Sequence, residues 1–178
     1  MVKKDTKVAV LGAGAMGCLF GGLLAEKGLD VVLIDVWKEH IDAINSKGLK
    51  MDGHGGDRFI KIKATTDPST LKPVDAIIIM CKATALEKAL NNSKNIIGKN
   101  TMLMSFQNGI GHEAIMQKIA GKDKVLGGTT TQASNILGPG HIKNHATLPS
   151  WIGEYEGGIS DRVKDIAETF TAHNLETI

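Results

Sequence analysis

Apolar and polar positions along the chain switch repeatedly between a short extended pattern and a helical one. Lys7 to Leu11 is a β-branched and apolar run that fits a buried strand. Ala15 to Lys27 follows with helical spacing, and Gly28 suits its C-terminal cap. Asp30 to Val36 ("DVVLIDV") predicts a second strand. Trp37 to Ser46 places Ile41 and Ile44 on one helix face, closed by Gly48. Leu49 to Lys63 reads as two short strands around "DGHGGD". Asp75 to Cys81 ("DAIIIMC") is apolar through its centre, as a strand covered on both faces would be. A helix over Thr84 to Asn91, a strand over Thr101 to Phe106 and a helix over Glu113 to Ile119 come next. "KVLGGTTTQASNI" and "HIKNHATL" then flank "LGPG", a hairpin turn, and Asp161 to His173 is an amphipathic helix.

Strands alternating with helices over short connections predict an α/β fold. The expected architecture is a Rossmann-like, doubly wound and mainly parallel sheet with helices on both faces. Ligands of such sheets bind where the strand order reverses, along the edge formed by the strand C-termini. The whole chain, residues 1–178, reads as one domain, without repeats or long linkers. "AHNLETI" reads as the approach to a further strand, so a fragment of a two-domain protein is expected.

Three glycines decide what that edge holds. In "KVAVLGAGAMG", Gly12, Gly14 and Gly17 follow a strand and open a helix. That context suits a dinucleotide pyrophosphate. Gly12 would permit the tight turn, Gly14 would let backbone approach the phosphates, and Gly17 would let helix and strand pack closely. The free N–H groups of the helix start would meet the anion. The alternative is a glycine turn that serves structure alone. Asp35 ends the second strand about 20 residues on, where a carboxylate can accept from adenosine ribose hydroxyls and repel a 2′-phosphate. Equally, it could cap the helix that begins near Trp37. Lys82 follows "AIIIMC" directly and faces cofactor oxygens or solvent. Asn108, in "SFQNGIG", offers a donor and an acceptor at the same edge, or merely forms the Asn-Gly turn with Gly109.

Composition narrows the classes. The chain is 42% hydrophobic and 22% charged, with a net charge of +2 and only 4% aromatic residues, which gives no footprint for nucleic acid. The stretch "VAVLGAGAMGCLFGGLLA" after Lys3 and Lys4 mimics a signal or a membrane span, but its glycines make a poor continuous helix, so no membrane role is expected. Cys18 and Cys81 form no CxxC and read as small core hydrophobes of a reduced, cytoplasmic protein. His141 and His145 share a face but lack a third ligand at motif spacing, so no metal is expected.

Taken together, "VAVLGAGAMG", "IIIMCKATALEKAL", "SFQNGIG" and "GTTTQASNILGPGHIKNHA" with "IGE" resemble the ketopantoate reductase (2-dehydropantoate 2-reductase) family over nearly the whole chain. The resemblance implies NAD(P)H-dependent reduction of 2-dehydropantoate to pantoate, on the route to pantothenate and coenzyme A. It implies that Gly12, Ala13, Gly14, Ala15, Met16 and Gly17 hold the pyrophosphate. Lys82, Asn108 and Ala133 would line the cofactor site, with Asn108 also near the substrate. The family usually takes NADPH through an arginine near the end of the second strand. Asp35 stands there instead and favours NADH over NADPH. The family's catalytic lysine lies in a helical C-terminal domain expected after Ile178, so no catalytic residue is expected in this chain and none of its turnover. The face left for that domain implies dimers or aggregates. Two other readings stay open: a reductase of another 2-keto acid, and a dinucleotide-binding module without redox chemistry.

Overall fold

The computed structural model describes residues 5–178, so Lys3 and Lys4 lie outside the described residues. In chain order the elements are β1 (Lys7–Leu11), α1 (Ala15–Glu26), β2 (Asp30–Ile34), α2 (Lys38–Lys47), β3 (Leu49–Gly53), β4 (Arg58–Ile60) and β5 (Lys63–Thr65). They continue with β6 (Val74–Ile79), α3 (Leu86–Asn92), β7 (Ile97–Ser105), α4 (His112–Ala120) and β8 (Val125–Thr130). The last are β9 (Ala133–Gly138), β10 (His141–Ala146), β11 (Ser150–Glu154) and α5 (Asp161–Ala172).

Seven strands form one sheet in the order β11-β8-β7-β6-β1-β2-β5. It is parallel except for β11, which runs antiparallel to β8. The chain builds outward from β1 to β2 and β5, then returns to the other side of β1 with β6, β7 and β8. The switch point therefore lies between β1 and β6, as the pattern predicts. Side chains of β1 alternate between two cores. Val8 and Val10 face the cluster with Leu19 of α1 and Phe170 of α5. Ala9 and Leu11 face the cluster with Leu86 of α3 and Met116 of α4. Helices thus cover both faces of the sheet.

A second sheet of four strands, β4-β3-β10-β9, was not legible in the pattern. The expected β3–β4 hairpin is there, with Lys50 opposite Phe59. So is the β9–β10 hairpin around Gly138 to Gly140. What joins them is a parallel pairing of β10 with β3, Ile142 opposite Met51. α1 lies between the two sheets. This explains why residues Gly17 to Leu24 are all buried in a helix with no polar face. Its glycines permit that squeeze. A Cβ on Gly21 would stand 2.6 Å from Leu33 of the large sheet, and one on Gly22 would stand 2.8 Å from Met51 of the small one.

Several boundaries differ from the sequence reading. β2 stops at Ile34, two residues short of Val36, with the Asp35 N–H still on the Thr65 carbonyl of its neighbour β5 at 3.2 Å. β7 begins at Ile97, four residues before Thr101, despite its polar start at Lys99 and Asn100. "KVLGGTTTQASNI" breaks in two, β8 in the large sheet and β9 in the small one. Two short strands, β5 and β11, were missed. The last residues do pair as the approach to a strand: Ile178 N–H donates to the Ser150 carbonyl and Ile152 N–H to the Ile178 carbonyl, both at 2.9 Å.

Candidate functional site

The C-terminal ends of β2, β1, β6 and β7 stand side by side, about 4.8 Å apart. They gather Asp35, the glycine turn, Lys82 and Asn108 on one edge. At the centre the turn is clamped from both sides. Gly12 N–H donates to the Ile34 carbonyl at 2.8 Å, and the Leu11 carbonyl accepts from Met80 and Cys81 N–H, each at 2.9 Å. Gly12 has φ +103°, and a Cβ there would meet the Cys81 nitrogen at 2.3 Å. A Cβ on Gly17 would stand 1.9 Å from the Gly12 carbonyl oxygen. Both glycines are required by the fold itself.

Gly14 is different. A Cβ there would meet no protein atom within 4 Å. It is the N-cap of α1, makes no side-chain cap, and no acidic residue sits in the first turn. The first N–H groups of a helix have no partner within it, and its dipole favours an anion. The open flank at Gly14 and the uncapped start of α1, with Ala15 and Met16 half-buried beside it, are the geometry that an incoming phosphate needs.

Asp35 does not cap α2, whose N-cap is Trp37 and carries no side-chain cap, but its carboxylate ties two backbone segments together. Its Oδ1 accepts from Trp37 N–H at 3.0 Å, ahead of α2. Its Oδ2 accepts from Ala13 N–H at 2.8 Å, inside the glycine turn. Each oxygen keeps a second lone pair. Val36 beside it is 93% exposed, and Lys38 is paired with Asp42 at 2.5 Å.

Lys82 lies exposed just beyond β6, where its carbonyl accepts from Ala85 N–H at 2.8 Å. Its ammonium has no partner among the described residues. Asn108 is exposed beyond β7, and Gly109 carries the positive φ expected of the Asn-Gly turn, +106°. The sequence reading missed the buried His112, whose Nε2 donates to the Asn108 carbonyl at 3.0 Å and so fixes the turn. It also missed Gln107. Its Oε1 accepts from Ser105 Oγ at 3.1 Å, while its buried Nε2 has no partner among the described residues. Phe106 packs on Phe20 of α1 at 4.9 Å between ring centres, which ties this loop to the glycine helix. Ala133 opens β9, three residues past Thr130 at the end of β8. The buried Gln132 pins that crossing, with its N–H on Thr130 Oγ1 at 3.1 Å and its side-chain amide on the Leu148 carbonyl.

Other candidates separate from this edge. His141 pairs with Asp52 at 2.6 Å and His145 with Asn135 at 2.5 Å, both on the small sheet. No group of three candidate metal ligands occurs among the described residues. Both cysteines are free. Burial pushes the Cys18 thiol far above its usual range and that of Cys81 up to about 11, so neither is a ready nucleophile. A cavity of about 680 Å³ lies at the opposite end of the sheet, among Thr6, Asp75, Thr101 and Arg162. Among the described residues no helix is long and apolar enough to cross a membrane.

The fold and its switch-point edge define a Rossmann-like domain with an open glycine turn at its centre. Comparison with known proteins carries this further. The family described as ketopantoate reductase PanE/ApbA matches residues 8–157. A 2-dehydropantoate 2-reductase of Pyrococcus horikoshii is 40% identical over 171 residues, which is 96% of this chain and 55% of that protein. One from Lactococcus lactis is 31% identical over 95% of this chain and 55% of its own length. Among solved structures, D-mandelate dehydrogenase with NADH and anilino(oxo)acetate superposes with a TM-score of 0.91 at 31% identity, over 97% of this chain and 56% of that one. The chain belongs to the ketopantoate reductase family. It spans about half the length of the curated relatives that it matches.

Proposed function

We propose that residues 1–178 form the cofactor-binding domain of an NAD(P)H-dependent reductase that converts 2-dehydropantoate to pantoate, on the route to pantothenate and coenzyme A. The observation that carries this is Gly14: an open flank on an uncapped helix start, at the switch point of a chain in this family. Gly12 to Gly17 would hold the pyrophosphate, Asp35 the adenosine ribose, and Lys82, Asn108 and Ala133 the rest of the cofactor. The orphaned Gln107 Nε2 beside Asn108 supports a polar ligand at that end. The cofactor supplies hydride for the ketone. This chain binds and orients it, and Asn108 would present an amide to the substrate as well. The family resemblance places the proton donor in a helical C-terminal domain, so residues 1–178 alone should bind the cofactor without turning over.

Asp35, the exposed Val36 and the Lys38–Asp42 pair all favour NADH over NADPH, since none offers a free cation to a 2′-phosphate. A second substrate reading has its own support. The D-mandelate dehydrogenase neighbour holds NADH and an anilino(oxo)acetate, so another 2-keto acid is the alternative. Free thiols suit a reduced cytoplasmic setting. Exposed Trp151, Ile159 and Ile178 near the β11 edge favour association, as a homodimer or with further chain.

The test is Gly14→Val with calorimetric titration of NADH and NADPH. Gly14 has φ −67° and ψ −167°, open to valine, so the fold should persist by circular dichroism. Binding should weaken at least tenfold. Undiminished affinity would sink the assignment.

A further inference from the structure

One buried network behind the glycine turn involves residues to which nothing above gives a role. His40 of α2 is 0% exposed. Its Nδ1 accepts from Gly140 N–H at 3.0 Å, in the β9–β10 turn. A ring nitrogen that accepts carries no proton, so the neutral ring bears its hydrogen on Nε2. That N–H points at Cys18 Sγ, 3.2 Å away, and toward the Ala13 carbonyl. The Cys18 thiol in turn donates to the Ala13 carbonyl oxygen at 3.1 Å. Trp37 stacks on the imidazole at 4.8 Å and 14°, which leaves the ring little freedom to turn.

The consequence follows from peptide geometry. In a planar trans peptide the C=O and the next N–H point in opposite directions. Cys18 and His40 hold the Ala13 carbonyl inward, so the Gly14 N–H must point outward. It makes no hydrogen bond among the described residues. On the other side of Ala13, its own N–H is held by Asp35 at 2.8 Å. Both peptides that flank Ala13 are therefore fixed by side chains.

We propose that His40, acting through Cys18, is a positioning residue that holds the Gly14 N–H outward as a preformed donor to the cofactor pyrophosphate. This rests on the dinucleotide reading of the glycine turn. His40 touches no ligand itself. It links the turn to the small sheet, so the donor is set before any ligand arrives.

The experiment compares a ligand with a pyrophosphate, ADP-ribose, with one that lacks it, adenosine, by calorimetric titration. His40→Asn keeps an acceptor for Gly140 N–H but is too short to reach Cys18. It should weaken ADP-ribose about tenfold and leave adenosine within twofold. His40→Gln returns an amide N–H to the Nε2 position and should restore most of that loss. Cys18→Ala should weaken ADP-ribose selectively and in the same direction, and it serves if the His40 variants do not fold. Parallel weakening of both ligands, or no change in either, would overturn the proposal and leave His40 a structural tie. If the unmodified chain fails to bind ADP-ribose at all, the dinucleotide reading itself falls.

Discussion

Asp35→Asn separates two duties that one carboxylate carries. The carboxylate accepts N–H bonds from Ala13 at 2.8 Å and from Trp37 at 3.0 Å, one on each oxygen. Asparagine offers one oxygen and one NH₂, so whichever way it turns, one backbone N–H faces a donor. Leaving a donor unsatisfied costs about 1–3 kcal/mol, and the surviving bond loses its charge assistance. Asp35 is half-buried, so water can reach part of the site, and a total of about 2 kcal/mol is the expected loss. For a chain of this size that is a fall in Tm of roughly 4–8 °C. The same change removes the negative charge next to a 2′-phosphate. NADPH should therefore gain on NADH by roughly tenfold even as both bind a looser turn. Thermal denaturation by circular dichroism reads the first effect, and paired calorimetric titrations of NADH and NADPH read the second. A Tm within 1 °C of the parent would refute the claim that the carboxylate holds the turn. An unchanged cofactor ratio would refute its part in discrimination.

Two further outcomes follow from the same region. Gly17→Ala places a Cβ 1.9 Å from the Gly12 carbonyl oxygen, a backbone atom that cannot move aside, so a loss of about 3 kcal/mol or more is expected in urea denaturation. His40 has its pKa held below the ordinary 6.5, chiefly by burial and against the pull of Asp35. The unfolded chain thus takes up this proton first, so stability is full above pH 6.5 and declines as the pH falls below it. Tm measured between pH 7.5 and 5 should show that decline, and it should be smaller in His40→Gln.

The glycine turn, Asp35, Lys82 and Asn108 were legible because each follows directly on an apolar run, and strand ends of a parallel sheet share an edge. The apolar run of β1 and the amphipathic pattern of α5 were legible for the same local reason. The second sheet was not legible. It exists through the pairing of Ile142 with Met51, and no local pattern names a partner that far along the chain. β5 is three residues long, and β11 is interrupted by Gly153, too little for a pattern to declare itself. Cys18 reads as a small core hydrophobe and is fully buried, yet its thiol is spent on the Ala13 carbonyl. His40 stands four residues before Ile44, on the face that helical spacing gives to the core, but nothing in sequence names its distant partners Cys18 and Gly140.

The position of α1 between two sheets has a consequence for how the chain is made. One flank of the helix rests on the large sheet, whose β1 and β2 lie beside it in sequence. Part of the other flank is covered by Leu49, Met51 and Ile60, which arrive soon after. The remainder waits for Ile136 of β9 and Ile142 of β10, which join the same core. From the end of α1 at residue 26 to the end of β10 at residue 146, 120 residues must leave the ribosome. At ordinary synthesis rates that is roughly 6–24 s with an apolar strip of the nascent helix bare. The helix that follows the glycine turn is thus among the first elements synthesised and among the last to be enclosed.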